Sequence, residues 1–152
     1  MAARHEAFGA AVLDYLPFAT YQGQLTLPEY LAGQPAAPDG KRPLYFFSHE
    51  ADANQFYALC QAHGVLAINA SGGFDEVLLR RYVSQHPDQV DLKPLDRLDD
   101  PTLYPPLDAV AQARYAPLLR AVDRALAEAE LSARTQIRQF QPADLSAVVL
   151  SG

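Results

Sequence analysis

"PLYFFSHEADANQFYALCQAHGVLAIN" (Pro43 to Asn69) carries a strand, a helix and a second strand in one short segment. Leu44 to Phe47 is a continuous apolar run of strand length, the pattern of a strand covered on both faces. Apolar residues then recur at helical spacing: Ala53, Phe56, Tyr57 and Cys60. Gly64 predicts a left-handed cap that closes this helix. Val65 to Ile68 is the next apolar run. Strand, helix and strand in this order predict parallel pairing through a crossover.

The pattern repeats downstream. "SGG" (Ser71 to Gly73) turns into a second helix, with Phe74, Val77, Leu78, Arg81 and Tyr82 on one side. Pro87 ends it, and Val90 to Pro94 gives a third, weaker strand. Upstream, Phe8, Ala11, Val12, Tyr15 and Leu16 fall at helical spacing until Pro17 breaks the helix. A short helix fits Leu27 to Leu31, with Thr26 as N-cap and Pro28 near its first position. "GQPAAPDGKRP" (Gly33 to Pro43) reads as a surface loop.

"DRLDDPTLYPP" (Asp96 to Pro106) is an acidic, proline-containing linker. A long helix then covers roughly Leu107 to Leu131, with a stripe of Tyr115, Leu118, Leu119, Val122, Leu126 and Ala129. Pro117 either kinks this helix or marks a start near Ala116. "RTQIRQF" and "LSAVVLS" read as two strands joined by the turn "QPAD". The expected fold is therefore α/β. A small three-layer α/β/α subdomain with a short parallel sheet is followed by a long helix and a two-stranded antiparallel α+β unit.

Composition bounds the function. The chain has 152 residues, 49% of them apolar, enough to bury a core. Its net charge of −6 and its lack of any basic run argue against nucleic acid and anionic membrane as partners. Cys60 is the single cysteine, which excludes an internal disulfide and suits the reducing cytoplasm. The first residues lack the apolar core of a signal peptide, and no stretch reaches the roughly 20 apolar residues of a membrane span.

Three clusters could carry chemistry. Ser48, His49, Glu50 and Asp52 follow the first strand, where open parallel sheets bind ligands. A hydrolase built on Ser48 and His49 would want a nucleophile elbow, and none is present. Helix capping by Ser48, with Glu50 and Asp52 facing the helix dipole, accounts for the same residues. "ASGGFDE" (Ala70 to Glu76) is a glycine-rich loop that opens a helix and could cradle an anion. It lacks a phosphate-loop lysine, and Asp75 and Glu76 would compete with a phosphate. The four histidines, His5, His49, His63 and His86, are isolated from metal-ligand spacing, so no metal site is expected. Cys60 lies on an apolar helix stripe and reads as core. Glu76 and Arg80 are spaced for an ion pair.

Together, "LTLPEYLAG" and "KRPLYFFSHEADANQFYALCQAHGVLAINASGGFDEVLLRRYVSQHPDQVDLKPLD" resemble the heat-shock protein 90 chaperone family, of the bacterial HtpG type. The matched elements are Leu27–Tyr30, Leu44–Phe46, Gly64–Ile68 and Phe74–Glu76. "DYLPFATYQGQLTL" and "YAPLLRAVDRALAEAELSARTQIRQFQPADLSAVVLS" look like the family's flanking segments. The resemblance implies that residues 1–98 end a middle domain, with a helical lead-in over 1–38 and the α/β subdomain over 42–98. Residues 99–106 then form a linker, and 107–152 open a C-terminal domain, cut before its dimerisation helices. It also implies a homodimeric parent that binds ATP and Mg in a domain outside this chain. The chain itself would hold no cofactor and no catalytic residue. Unfolded client proteins would be its partners, contacted by Glu76, Val77 and Arg80, with Val77 where the family carries an aromatic.

Overall fold

A computed structural model describes residues 12–50, 53–95, 103–133 and 135–139. Its elements run β1 (Pro17–Thr20), β2 (Gly23–Thr26), α1 (Leu27–Ala32), β3 (Arg42–Phe47), α2 (Ala53–His63), β4 (Ala67–Asn69), α3 (Asp75–Gln85), β5 (Val90–Pro94) and α4 (Ala109–Glu128). The sheet order is β2-β1-β4-β3-β5. β3 pairs in parallel with both β4 and β5, while β1 is antiparallel to β4 and β2. The α/β class holds, and the expected parallel trio forms one side of the sheet, with β3 between β4 and the edge strand β5. The sheet is larger and mixed, however, because residues 17–26 form a hairpin.

That hairpin is short enough to hide in the sequence. Pro17 takes the first place in its strand, where a missing N–H is tolerated. Phe18 and Thr20 point inward while Ala19 points out. Tyr21 and Gln22 make the turn. The Gln22 N–H donates to the Thr20 hydroxyl, which donates to the Gly23 carbonyl at 2.8 Å. The positive φ, +118°, falls on Gly23 and so needs no strained side-chain residue. Residues 12 and 13 are helical, 14 and 15 form a turn and 16 is irregular, so the first expected helix stops short of Tyr15 and Leu16; its start lies outside the described residues.

α1 follows the sequence closely. Thr26 and Glu29 form a reciprocal capping box. The Thr26 N–H donates to the Glu29 carboxylate at 2.9 Å, and the Glu29 N–H donates to the Thr26 hydroxyl.

Two cores cover the two sheet faces. Leu44, Phe46 and Ile68 pack with Tyr30 and Leu31 of α1 and with Leu79 and Tyr82 of α3. Tyr45, Phe47 and Ala67 pack with Phe56, Leu59 and Cys60 of α2. The unbroken apolar run of β3 is thus explained: alternate residues fill alternate cores. Phe47 stacks on Phe56 with ring centroids 5.1 Å apart. Leu103 and Tyr104 were expected in a linker, yet both are buried in the second core, and the Tyr104 hydroxyl donates to the Leu95 carbonyl. Gly64, at φ +64°, closes α2 as expected, with the Val65 N–H reaching back to the Cys60 carbonyl.

α3 differs from expectation in phase. Leu79 and Tyr82 are its buried residues, while Phe74, Val77 and Arg81 are exposed. The sheet captured the face centred on Leu79 and turned the other apolar face outward.

α4 runs unbroken through Pro117, so the helix does not start there. The proline removes one bond to the carbonyl of residue 113, and residues 113 and 117 both lie on the exposed side, where water can serve that carbonyl. Asp108 caps the helix, accepting the Ala111 N–H at 2.7 Å. No residue of α4 is buried. Of the expected terminal strands, residues 135–139 are described and contribute an isolated bridge between Pro106 and Arg138. The second strand lies outside the described residues.

Candidate functional site

β3 feeds α2 on one face of the sheet, and its neighbour β4 feeds α3 on the other. Two adjacent parallel strands whose chains leave in opposite directions open a crevice at their carboxyl ends. Ser48 and His49 leave β3 there, and Ala70 to Gly73 leave β4. The Ala70 N–H donates to the Phe47 carbonyl at 2.8 Å, which extends the pairing past the strand ends.

One polar chain links the exit of β3 to the start of α3. The Ser48 hydroxyl donates to Oε2 of Glu76 at 3.0 Å. Arg80 donates to Oε1 of the same carboxylate from Nε at 2.9 Å and from Nη2 at 2.6 Å. The Arg80 hydrogen bonds hold the Glu76 carboxyl below the usual carboxylate range. Burial opposes this more weakly than Arg80 favours it, and the Ser48 hydroxyl, then the charges of Arg80 and His49, add smaller lowering effects. A carboxylate held ionised this way is a weak base. It does little to activate the hydroxyl that donates to it.

Ser48 therefore ties the exit of β3 to the first turn of α3. Its expected role as the cap of α2, along with Asp52, depends on residues 51 and 52, outside the described residues. Glu50 is exposed.

The glycine-rich loop is occupied by its own chain. Asn69 accepts the Ser71 N–H at 3.0 Å, a local side-chain turn. The Asp75 carboxylate folds back over Gly72 so closely that a Cβ there would lie 2.4 Å from Oδ2. A carboxylate already sits where an anion would approach the start of α3, and this works against anion binding at Ser71–Gly73.

The remaining candidates are dispersed. Cys60 is fully buried, and burial pushes its thiol up to about 12. His63 lies at the end of α2, and the His86 ring is 4.5 Å from that of Tyr82. Among the described residues no group of three or more His, Cys, Asp or Glu could hold a metal ion. Nor is any of their helices long and apolar enough to cross a membrane.

Glu76, Val77 and Arg80 lie in the first turns of α3, with Phe74 at its N-cap, and Glu76 is hydrogen-bonded to Arg80. Phe74 is 78% exposed and Val77 63% exposed. Phe74 is the N-cap of α3, with non-helical φ −122° and ψ −9°, and Val77 follows in the first turn. The spacing groups Phe74 with Val77, Leu78, Arg81 and Tyr82 on one side of the helix, and the structure leaves it exposed. The signal for that exposure was the surplus of apolar residues, since 74, 77, 78, 79 and 82 cannot all face one sheet. No family model matches this chain, and no curated protein or solved structure matches it.

Proposed function

We propose that this chain is a non-enzymatic module that binds extended or partly unfolded polypeptide, in the manner the heat-shock protein 90 resemblance implies. The observation that carries this reading is the exposed pair Phe74 and Val77 beside the Glu76–Arg80 ion pair. Exposed aromatic and aliphatic groups gain by covering a client's apolar side chains. The ion pair beside them offers a donor fork and a carboxylate to the client's backbone and charged groups. Ser48 acts on this surface by positioning Glu76.

In the full reading, the chain links the ATP-driven arm of a homodimeric, cytoplasmic chaperone to its base. ATP and Mg act in a domain beyond these residues. The buried thiol of Cys60 accords with a reducing compartment.

Fluorescence anisotropy with a labelled, permanently unfolded polypeptide, such as reduced and carboxymethylated α-lactalbumin, tests the proposal. Phe74→Ser with Val77→Ser should weaken binding at least about tenfold. Thermal stability should stay unchanged, because both side chains are exposed. Wild-type chain that fails to bind, or a double variant that binds equally well, would refute it. Measurable ATP turnover by the isolated chain would refute its non-enzymatic part.

A further inference from the structure

The strand registers lay four residues in one row across the sheet. Phe47 of β3 pairs with Asn69 of β4, Asn69 with Ala19 of β1, and Ala19 with Gln24 of β2. Paired residues share a face, and Phe47 fixes it as the face that α2 covers further along the sheet. Neighbouring strands lie about 4.8 Å apart, so the strands that carry Asn69 and Gln24 are about 10 Å apart with Ala19 between them. Ala19 has only a methyl group and is exposed, as is Gln24. The row is therefore a shallow trough, an alanine floor between two side-chain amides. Half-buried Tyr21 and Tyr57 stand beside it on the same face, edge to face with ring centroids 6.3 Å apart. Phe47 holds the Tyr57 ring in place at 5.3 Å.

This part of the molecule carries no acidic residue, lysine or arginine. Residues 15–28 and 53–74 contain no Asp, Glu, Lys or Arg, although these make up 20% of the chain. The two spans include all of β1, β2, α2 and β4. Solvent-facing positions ordinarily hold charged side chains, and here carboxamides and phenols take their place. Such groups donate and accept hydrogen bonds without favouring an ion of either sign. Asn69 uses its side-chain carbonyl on the Ser71 N–H at 3.0 Å. That bond fixes the orientation of the amide and leaves its NH2 to donate elsewhere.

We infer that this trough binds a neutral oligosaccharide. One sugar ring lies over the Ala19 methyl, and its hydroxyls exchange hydrogen bonds with the amides of Asn69 and Gln24. The next ring sets its C–H face against the exposed side of the tyrosine pair. A sugar offers hydroxyls around an apolar ring, which matches neutral polar groups placed beside aromatic ones. An anionic or cationic ligand finds no opposite charge in these elements to offset its desolvation. Few groups and a shallow floor set the affinity in the millimolar range. The trough lies across the sheet from α3, so it acts independently of Phe74 and Val77.

Amide NMR titration of the full chain with maltotriose, cellotriose and chitotriose, each to about 20 mM, tests the inference. At least one should shift the amides of residues 19, 24, 57 and 69, with a dissociation constant below about 10 mM. Ala19→Leu fills the floor and should weaken binding at least about tenfold. Gln24→Ala removes one amide and should weaken it about threefold to tenfold. Both residues are exposed, so Tm should stay within about 2 °C of the wild type. Absence of shifts with all three sugars, or shifts confined to other residues, overturns the inference. So does an Ala19→Leu chain that binds as well as the wild type. A proline decapeptide that shifts these amides where the sugars do not overturns it too, because the tyrosines then serve an extended peptide.

Discussion

Replacing Tyr30 with Phe tests how the sheet is pinned to α1. Its hydroxyl accepts the Tyr45 N–H at 3.0 Å and donates to the Leu66 carbonyl at 2.6 Å. Tyr45 and Leu66 flank the point where β3 and β4 begin to pair, since the register opens at Tyr45 and Ala67. The hydroxyl thus bridges two backbone groups at the mouth of the central ladder, and α1 holds it there. Burial pushes its pKa far above the ordinary tyrosine value, so it stays a donor at all working pH. Tyr30→Phe keeps the ring and deletes both bonds. Losing the bond to the buried Tyr45 N–H costs about 1–3 kcal/mol, and losing the one to the half-buried Leu66 carbonyl costs about 1 kcal/mol. The sum is about 2–4 kcal/mol, or roughly 6–12 °C in Tm for a chain of this size. Urea unfolding followed by circular dichroism measures it, with the exposed Tyr15→Phe as a control expected to change nothing. A loss below about 0.5 kcal/mol for Tyr30→Phe would refute the bridging role.

Other perturbations have distinct signatures. Gly64→Ala meets no side chain but must hold φ +64°, so it should cost about 1 kcal/mol in urea unfolding; an unchanged midpoint would count against the left-handed cap. Thr26→Ala removes the capping box and should also cost about 1 kcal/mol by the same assay, and no loss would mean that water caps α1 equally well. The depressed Glu76 carboxyl stabilises the fold above the ordinary carboxylate pKa, and that stability disappears as pH falls through its own lower value. The wild type should therefore exceed Glu76→Gln by a constant margin, under about 0.5 kcal/mol for so exposed a pair, at neutral pH. The margin should shrink in acid, and a margin that grows in acid would contradict the assigned contacts. Cys60 should resist iodoacetamide at pH 8 in the folded chain and react promptly in urea, because its thiol is buried and raised to about 12; fast labelling of the folded chain would show that α2 opens.

The sequence made the parallel trio legible because each element there has a local cause. β3 is a doubly covered apolar run, Thr26 and Glu29 cap α1, and Gly64 ends α2. What it hid depends on contacts between distant residues. The hairpin over 17–26 has only Phe18 and Thr20 as inward residues, too few for a two-residue period to stand out beside a helical one. In α3 the residues 74, 77, 78, 79, 82 and 83 trace two overlapping faces, and only the position of the sheet selects Leu79 and Tyr82 over Phe74 and Val77. The Ser48–Glu76 bond joins residues 28 positions apart, so no spacing rule could foresee it. The partners of Glu76 and Arg80 within one helix were legible, since an i, i+4 pair is local.

The same surplus of apolar residues that obscured the phase of α3 separates stability from recognition. A helix that binds the sheet through Leu79 and Tyr82 needs no further apolar groups, yet Phe74 at its N-cap and Val77 in its first turn stay exposed. Exposed apolar groups favour association in dilute solution, and the fold itself gains nothing from them. Their first turn is also where the Ser48–Glu76 bond ties α3 to the end of β3. Removing that tie with Ser48→Ala should leave the two apolar residues in place but loosen the turn that presents them. Polypeptide binding should then weaken while the cores on either side of the sheet keep their stability.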